Sequence, residues 1–283
     1  MDYQREAREQ YYKAYSIASR NQLKDKKQRV PANPTDLDTL LNEAMISEKV
    51  DLGVMDIPVN LIVGAAENKE ALHSFTRDFL PLEKPGSEFA AMWRKVYEKY
   101  VSVQNSCQVS CLEYLGKFYV VEGILVVSVA KIYGSNILRS NVIRIMPKYT
   151  ECKAIARYYD FLNQFEMTNL YQLQFTQPGY FEKLQFAMDK DILSQWSDND
   201  RSGFMKYWPK IERAFQTSFN DCLSITSADA FVVLLEKYSI SQIIQMDSWV
   251  LARLFQASWR DLSRLSYANR TESDSNAGSL FSA

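Results

Sequence analysis

The stretch 116–134, GKFYVVEGILVVSVAKIYG, constrains the fold more than any other part of the chain. Glycines at its two ends and at position 123 divide an apolar run into a strand over 118–121, a turn at Glu122 and Gly123, and a second buried segment reaching Gly134. That second segment is open to two readings. Its β-branched residues favour a strand, whereas Lys131 and the flanking glycines suit a short buried helix. In a strand-turn-helix unit a glycine lets the backbone approach a ligand, and the first helical turn points unmatched N–H groups at an anion. The side chains that follow the turn here are Ile124, Leu125 and Val126. Aliphatic groups hold no phosphate, so the stretch says more about a fold than about an activity.

At 283 residues the chain is long enough for two domains with real cores. Its 33 Lys plus Arg balance 34 Asp plus Glu, a formal charge of -1, so no global field draws it to nucleic acid or an anionic membrane. Any such binding requires a local patch. Hydrophobic content of 47% with 13% aromatic residues describes an ordered globular protein rather than a disordered one. The start, MDYQREAREQ, has no apolar core of a secretory leader, and no run approaches the roughly eighteen apolar residues of a membrane span. The expected location is the cytoplasm, where Cys107, Cys111, Cys152 and Cys222 stay free thiols. Cys107 and Cys111 share a strand face, but a chain with a single histidine offers no zinc set, and no metal site is expected.

Four segments follow from the patterning. Residues 1–48 hold N-terminal helices: a polar helix over 2–29 with an apolar stripe of Ala7, Tyr11, Ala14 or Tyr15 and Ala18, then a short helix capped at Thr35 or Asp36 that carries Leu37, Leu40, Leu41 and Met45. The basic cluster Lys24, Lys26, Lys27 and Arg29 reads as a solvated helix end that complements the dipole, or as a phosphate contact. Residues 49–148 form a small mixed-sheet domain. Its strands are expected at 54–63 (with Pro58 inside, ending at Gly64), in a hairpin around Gly116, and at 136–146; Ser87 caps a helix over 88–100 that buries Phe89, Met92, Trp93 and Val96. His73 has no Ser, Cys or Asp relay around it. Residues 149–268 form a mainly α-helical domain, with helices at 149–167, 180–189, 198–219 (interrupted at Pro209), 227–238 and 247–266, and a short strand at 171–176. Its aromatics, among them Tyr158, Phe161, Trp196, Trp208, Phe231 and Trp249, recur at helical spacings without the basic interleaving of single-strand binders, which assigns them to a core. Residues 269–283 read as a disordered polar tail. The fold class is α+β.

The segments DLGVMDIPVNLIVG, FLPLEKPGSEFAAMW, EYLGKFYVVEG, VSVAKIYG and NVIRIMP, in this order, resemble the N-terminal domain of ParB-like proteins in the ParB/sulfiredoxin superfamily. The resemblance covers about 50–148 and continues more weakly into the helical half from Tyr158 onward. It implies a box of an acid and a glycine, a polar pair, an arginine and Val-Ser-Val that supports binding of a nucleotide such as CTP or ATP with Mg, and in some branches hydrolysis, phosphoryl transfer or nuclease activity. Glu122, Gly123, Val127, Ser128 and Val129 match that box. The polar pair is replaced by Ile124 and Leu125 and the arginine by Val126, and the cysteine of the sulfiredoxin branch is absent. Relatives also carry a Lys and an Arg after the Ile-Val-Gly strand end, where this chain has Ala66 and Glu70, with Lys69 the nearby cation.

Each charge-assisted phosphate contact contributes about 1.5–3 kcal/mol, so losing two or three weakens binding by orders of magnitude. Burying each aliphatic replacement stabilises the domain by about 1.5–3 kcal/mol. The expected site is therefore a degenerate ligand box of Glu122, Gly123, Ile124, Leu125, Val126, Ser128 and Gly64 with no catalytic residues, in a ParB-like binding or regulatory module that acts through a protein partner. The alternative is a nucleotide-dependent DNA-binding, nuclease-like or phosphoryl-transfer protein that uses backbone amides at Gly123 and Gly64 with Glu122 as magnesium ligand or base. Net charge does not favour DNA, and a helix-turn-helix within 227–266 would offer only Arg253 in the first two turns of the helix that begins at Ser248.

Overall fold

The computed structural model describes residues 3–28, 31–67, 69–103, 109–219 and 222–280. The chain is α+β and divides into two compact units, Met1–Lys148 and Tyr149–Ala283. The elements of the first are α1 (Tyr3–Gln28), β1 (Thr35–Asp36), β2 (Ile46–Pro58), β3 (Ile62–Ala65), α2 (Lys69–Leu72), α3 (Glu88–Ser102), β4 (Ser110–Tyr114), β5 (Lys117–Glu122), α4 (Ile124–Tyr133) and β6 (Ile137–Pro147). They build a six-stranded mixed sheet in the order β1-β3-β5-β4-β6-β2. The β1–β3, β3–β5 and β4–β6 pairs are parallel, and β4–β5 and β2–β6 are antiparallel.

The stripe on α1 is buried as expected: Ala7, Tyr11, Ala14 and Ala18 pack inward at helical spacing. Small residues on that face let the helix approach α3, where Tyr11 meets the Trp93 ring edge-on at 5.3 Å and Tyr97 donates to Glu6 Oε1 at 2.9 Å. The side chains of Lys24, Lys26, Lys27 and Arg29 lie outside the described residues. Ser87 caps α3 by accepting from the Ala90 amide at 3.2 Å.

Two expectations are corrected nearby. No helix follows Pro34; Thr35 and Asp36 pair with Gly64 and Ala65 as a strand, and Asp36 then caps a single 3-10 turn over Leu37–Thr39. A second such turn covers Glu43–Met45 under Asn42. The strand expected over 54–63 is two strands, because Pro58 ends β2 and the turn Val59–Leu61 redirects the chain into β3. β2 is also much longer than expected, since it pairs with β6 along its length.

The ambiguous segment after Gly123 is the helix α4. Left-handed glycines stop it at both ends, Gly123 at φ 91° and Gly134 at φ 85°. Its valines are buried, and Ser128 accepts the Trp93 indole N–H at 2.9 Å. Packing against α3 outweighs the strand propensity of those β-branched residues.

The second unit contains α5 (Lys153–Thr168), α6 (Tyr180–Ala187), α7 (Asp198–Phe219), α8 (Ser227–Leu235), α9 (Ile240–Gln245), α10 (Ser248–Ala257) and α11 (Trp259–Leu280). Phe204, Trp208, Ile211, Phe231, Leu251 and Phe255 belong to its core. The Phe204 and Trp208 rings stack at 5.2 Å, and Phe231 stands edge-on to Trp208 at 5.9 Å. α7 runs through Pro209 without the expected interruption. A proline inside a helix costs about 3 kcal/mol, and burial of Tyr207, Trp208 and Ile211 on either side of it offsets that cost.

The expected strand at 171–176 is irregular, because its backbone is claimed by a side chain. Asp229, fully buried at the start of α8, accepts from the Thr176 amide at 2.8 Å, the Thr176 hydroxyl at 2.7 Å and the Thr226 amide at 2.9 Å. Burial pushes its carboxyl above the usual range, against the pull of these hydrogen bonds. The segment read as a disordered tail continues α11 as helix through Leu280. Asn269 ties it down, donating to Ser224 O at 2.6 Å and to Thr176 Oγ1 at 2.8 Å while accepting from Gln177 Nε2 at 3.0 Å and Arg157 Nη2 at 3.2 Å. Asn269→Ala should therefore cost about 1–3 kcal/mol and lower the unfolding temperature of the second unit, as calorimetry on the full chain will read.

Candidate functional site

Ligands of sheets with parallel strands commonly sit beyond the carboxyl ends of those strands. β1, β3 and β5 lie side by side in parallel, and the residues next after them are Leu37, Ala66 and Gly123. Gly123 carries the chain out of β5 in a conformation that a side chain would strain. Its carbonyl accepts from the amides of Val126 at 2.8 Å and Val127 at 3.2 Å, which leaves Ile124 and Leu125 as the first-turn amides directed beyond the helix start. Glu122, opposite Ser110 at the end of β5, is exposed.

The side chains of the box do not converge. Ile124 and Leu125 are half-buried and Val126 is buried. Ser128 lies one turn further on, fully buried beneath Trp93, where its hydroxyl is a packing group rather than a ligand contact. Gly64 is buried inside the sheet, between Thr35 of β1 and Tyr119 of β5. A Cβ there would lie 2.0 Å from Thr35 O and 2.8 Å from Tyr119 Cδ1. Its missing side chain admits β1, and so serves the sheet.

Ala66, the position at which the resemblance implies a cation, is sealed. It packs with Leu37, Tyr119 and Ile145 in a buried cluster flanked by Leu41, Val63, Leu112 and Val121, while its amide donates to Val120 O at 2.9 Å. Glu70 is exposed, and the Lys69 side chain lies outside the described residues. Sequence reasoning missed Leu37 as a member of this region. The signal available was the Thr-Asp pair directly before it, whose strand pairing with β3 delivers the leucine onto Ala66.

Lys131 is a second residue whose role the sequence did not disclose. It sits in the last turn of α4, about 12 Å of helix from Gly123. Its Nζ donates to Ile62 O at 2.9 Å and lies 5.0 Å from the centre of the Phe79 ring. Burial lowers its pKa from the ordinary 10.5 to about 8, against an opposing pull from Asp78. His73 is exposed. Cys111 is buried, which pushes its thiol up to about 11, and Cys152 and Cys222 are also free; Cys107 lies outside the described residues. Among the described residues no three His, Cys, Asp or Glu side chains gather into a metal-holding group. Likewise, among the described residues no helix is long and apolar enough to cross a membrane.

Compared with known proteins, the chain matches no family model, no curated protein and no solved structure.

Gly64→Ala is expected to destabilise the first unit by about 3 kcal/mol, because the atom it meets is backbone and β1 must withdraw; a lowered urea midpoint measures it. Lys131 makes stability depend on pH with a definite sign. The unfolded chain holds this proton more tightly between pH 8 and 10.5, so Lys131 makes the stability of the first unit rise with pH from 8, while Cys111, raised by burial from 9.0 to about 11, opposes that rise from pH 9 upward. Tyr119, pushed up to about 12 by burial and then by Tyr114, acts in the opposite sense above pH 10, where the unfolded phenol ionises first. Urea titrations across these ranges should show the rise and then the fall, with the rise flattened in Lys131→Met.

Proposed function

We propose that the first unit is a ParB-like module whose nucleotide site has degenerated, and that the protein works as a non-catalytic binding or regulatory factor through a protein partner. One observation carries this reading: Ala66 is closed off by Leu37, Tyr119 and Ile145 in an apolar cluster. A phosphate brought there would meet carbon in place of the ammonium or guanidinium that the resemblance implies, and it would lose its water without compensation. The aliphatic side chains of Ile124, Leu125 and Val126 beside the start of α4 support the same reading. So does the burial of Ser128 and Gly64, two members of the box, in packing roles.

The start of α4 favours one alternative, a nucleotide-dependent protein that acts on DNA or transfers phosphoryl groups. The amides of Ile124 and Leu125 attract anions regardless of their side chains, and exposed Glu122 stands beside them as a ligand for magnesium carried in with a nucleotide. Gly64 contributes little to it, being covered by Thr35.

Thermal unfolding with CTP, ATP or GTP, each with magnesium, separates the two. A ligand at a hundred times its Kd stabilises the native state by about 2.7 kcal/mol, a shift of several degrees. The expected result is no shift for the native protein and a measurable one for the double variant Ile124→Asn with Leu125→Lys, whose altered positions are only half-buried. A nucleotide-selective shift in the native protein, or hydrolysis abolished by Glu122→Ala, would overturn the proposal.

A further inference from the structure

The second unit carries a groove of about 980 Å³ between α6, the turn that follows it and the end of α8. Val232 and Leu235 line it from α8, with Val232 fully buried, and three large apolar side chains stand at its mouth: Phe186 is 83% exposed, Leu193 80% and Ile192 56%. Three such residues together on one surface far exceed the single scattered apolar residues that need no explanation.

Their exposure is built into the fold. The turn bearing Ile192 and Leu193 is held from behind by Gln185, a fully buried side chain that donates to Asp191 O at 3.3 Å, Ile192 O at 3.3 Å and Ser194 O at 3.0 Å. Gln185 is itself oriented by the Trp196 indole, which donates to its Oε1 at 2.6 Å. The Lys190 amide closes the turn onto Gln185 O at 2.9 Å. A polar residue buried at this cost to desolvation holds two leucine-sized side chains out toward water, which is the arrangement of a preorganised docking surface.

Charge at the rim selects the occupant. Both lysines that line the groove are engaged by acids, Lys183 by Glu236 at 2.6 Å and Lys190 by Asp200 at 2.8 Å. Among the described residues no ion pair engages the two remaining rim carboxylates, Glu182 and Asp191, and both are exposed. We infer that this groove docks an amphipathic helix of a partner protein, with an apolar stripe seated against Phe186, Ile192 and Leu193 and basic residues flanking the stripe to meet Glu182 and Asp191. The inference stands independently of the nucleotide reading of the first unit.

The test uses the full chain and two labelled synthetic helical peptides with leucine at i, i+3, i+4 and i+7, one flanked by lysine and the other by glutamate, followed by fluorescence anisotropy. The lysine peptide should bind about tenfold more tightly than the glutamate peptide at low salt. Phe186→Ser and Leu193→Ser, at exposed positions that leave the unfolding temperature unchanged, should each weaken it by about tenfold. Glu182→Lys combined with Asp191→Lys should invert the preference between the peptides. Equal binding of both peptides, or binding indifferent to these substitutions, overturns the inference. Self-association abolished by Phe186→Ser, without peptide binding, assigns the groove to a second copy and overturns it as well. Saturable binding of a dodecyl amphiphile without peptide binding does the same in favour of a lipid-like ligand.

Discussion

The first unit depends on one close approach. β1 can pair with β3 only because residue 64 has no side chain, since a Cβ would sit 2.0 Å from the Thr35 carbonyl oxygen. That pairing is two residues long, yet it decides what covers the end of β3. It ends at Asp36, whose carboxylate accepts from the Asp38 amide and turns the chain so that Leu37 falls onto Ala66. A backbone contact at Gly64 thus becomes an apolar seal at the place where the resemblance implies phosphate-binding cations.

The same sheet directs α4. Gly123 leaves β5 in a left-handed conformation, and burial of the valines that follow brings Ser128 under Trp93. The proposed loss of a nucleotide site and the stability of the unit then share a cause at Ala66 and Val126, where the side-chain carbon is buried in packing. Lys131 stands at the far end of the helix, where its ammonium ties α4 to the start of β3 at Ile62.

In the second unit polar side chains do what the sheet does in the first. Asp229 and Asn269 both bond to Thr176, and through it they join the loop before α6, the start of α8 and the middle of α11. Gln185 plays the corresponding part for the turn after α6. Buried groups of this kind are strict about their partners, because a lost hydrogen bond leaves a desolvated donor or acceptor behind. They allow loops without regular structure to hold a fixed shape, including the one that displays Ile192 and Leu193.

Local patterns in the sequence were sufficient for the α+β class, the stripe of α1, the Ser87 cap, the hairpin at Gly116 and most of the aromatic core of the helical half, because each rests on periodicity or on residues a few positions apart; Trp249, expected in that core, is instead 62% exposed. Tertiary structure alone decided that α4 is a helix, that α7 survives Pro209, that β1 exists and that the tail beyond Asn269 continues a helix. It also decided that Ser128 and Gly64 serve packing. The physical reason is common to these cases: each outcome turns on contact between residues tens of positions apart, such as Thr35 with Gly64, Trp93 with Ser128 and Thr176 with Asn269, whose energies exceed the propensities a local reading can weigh.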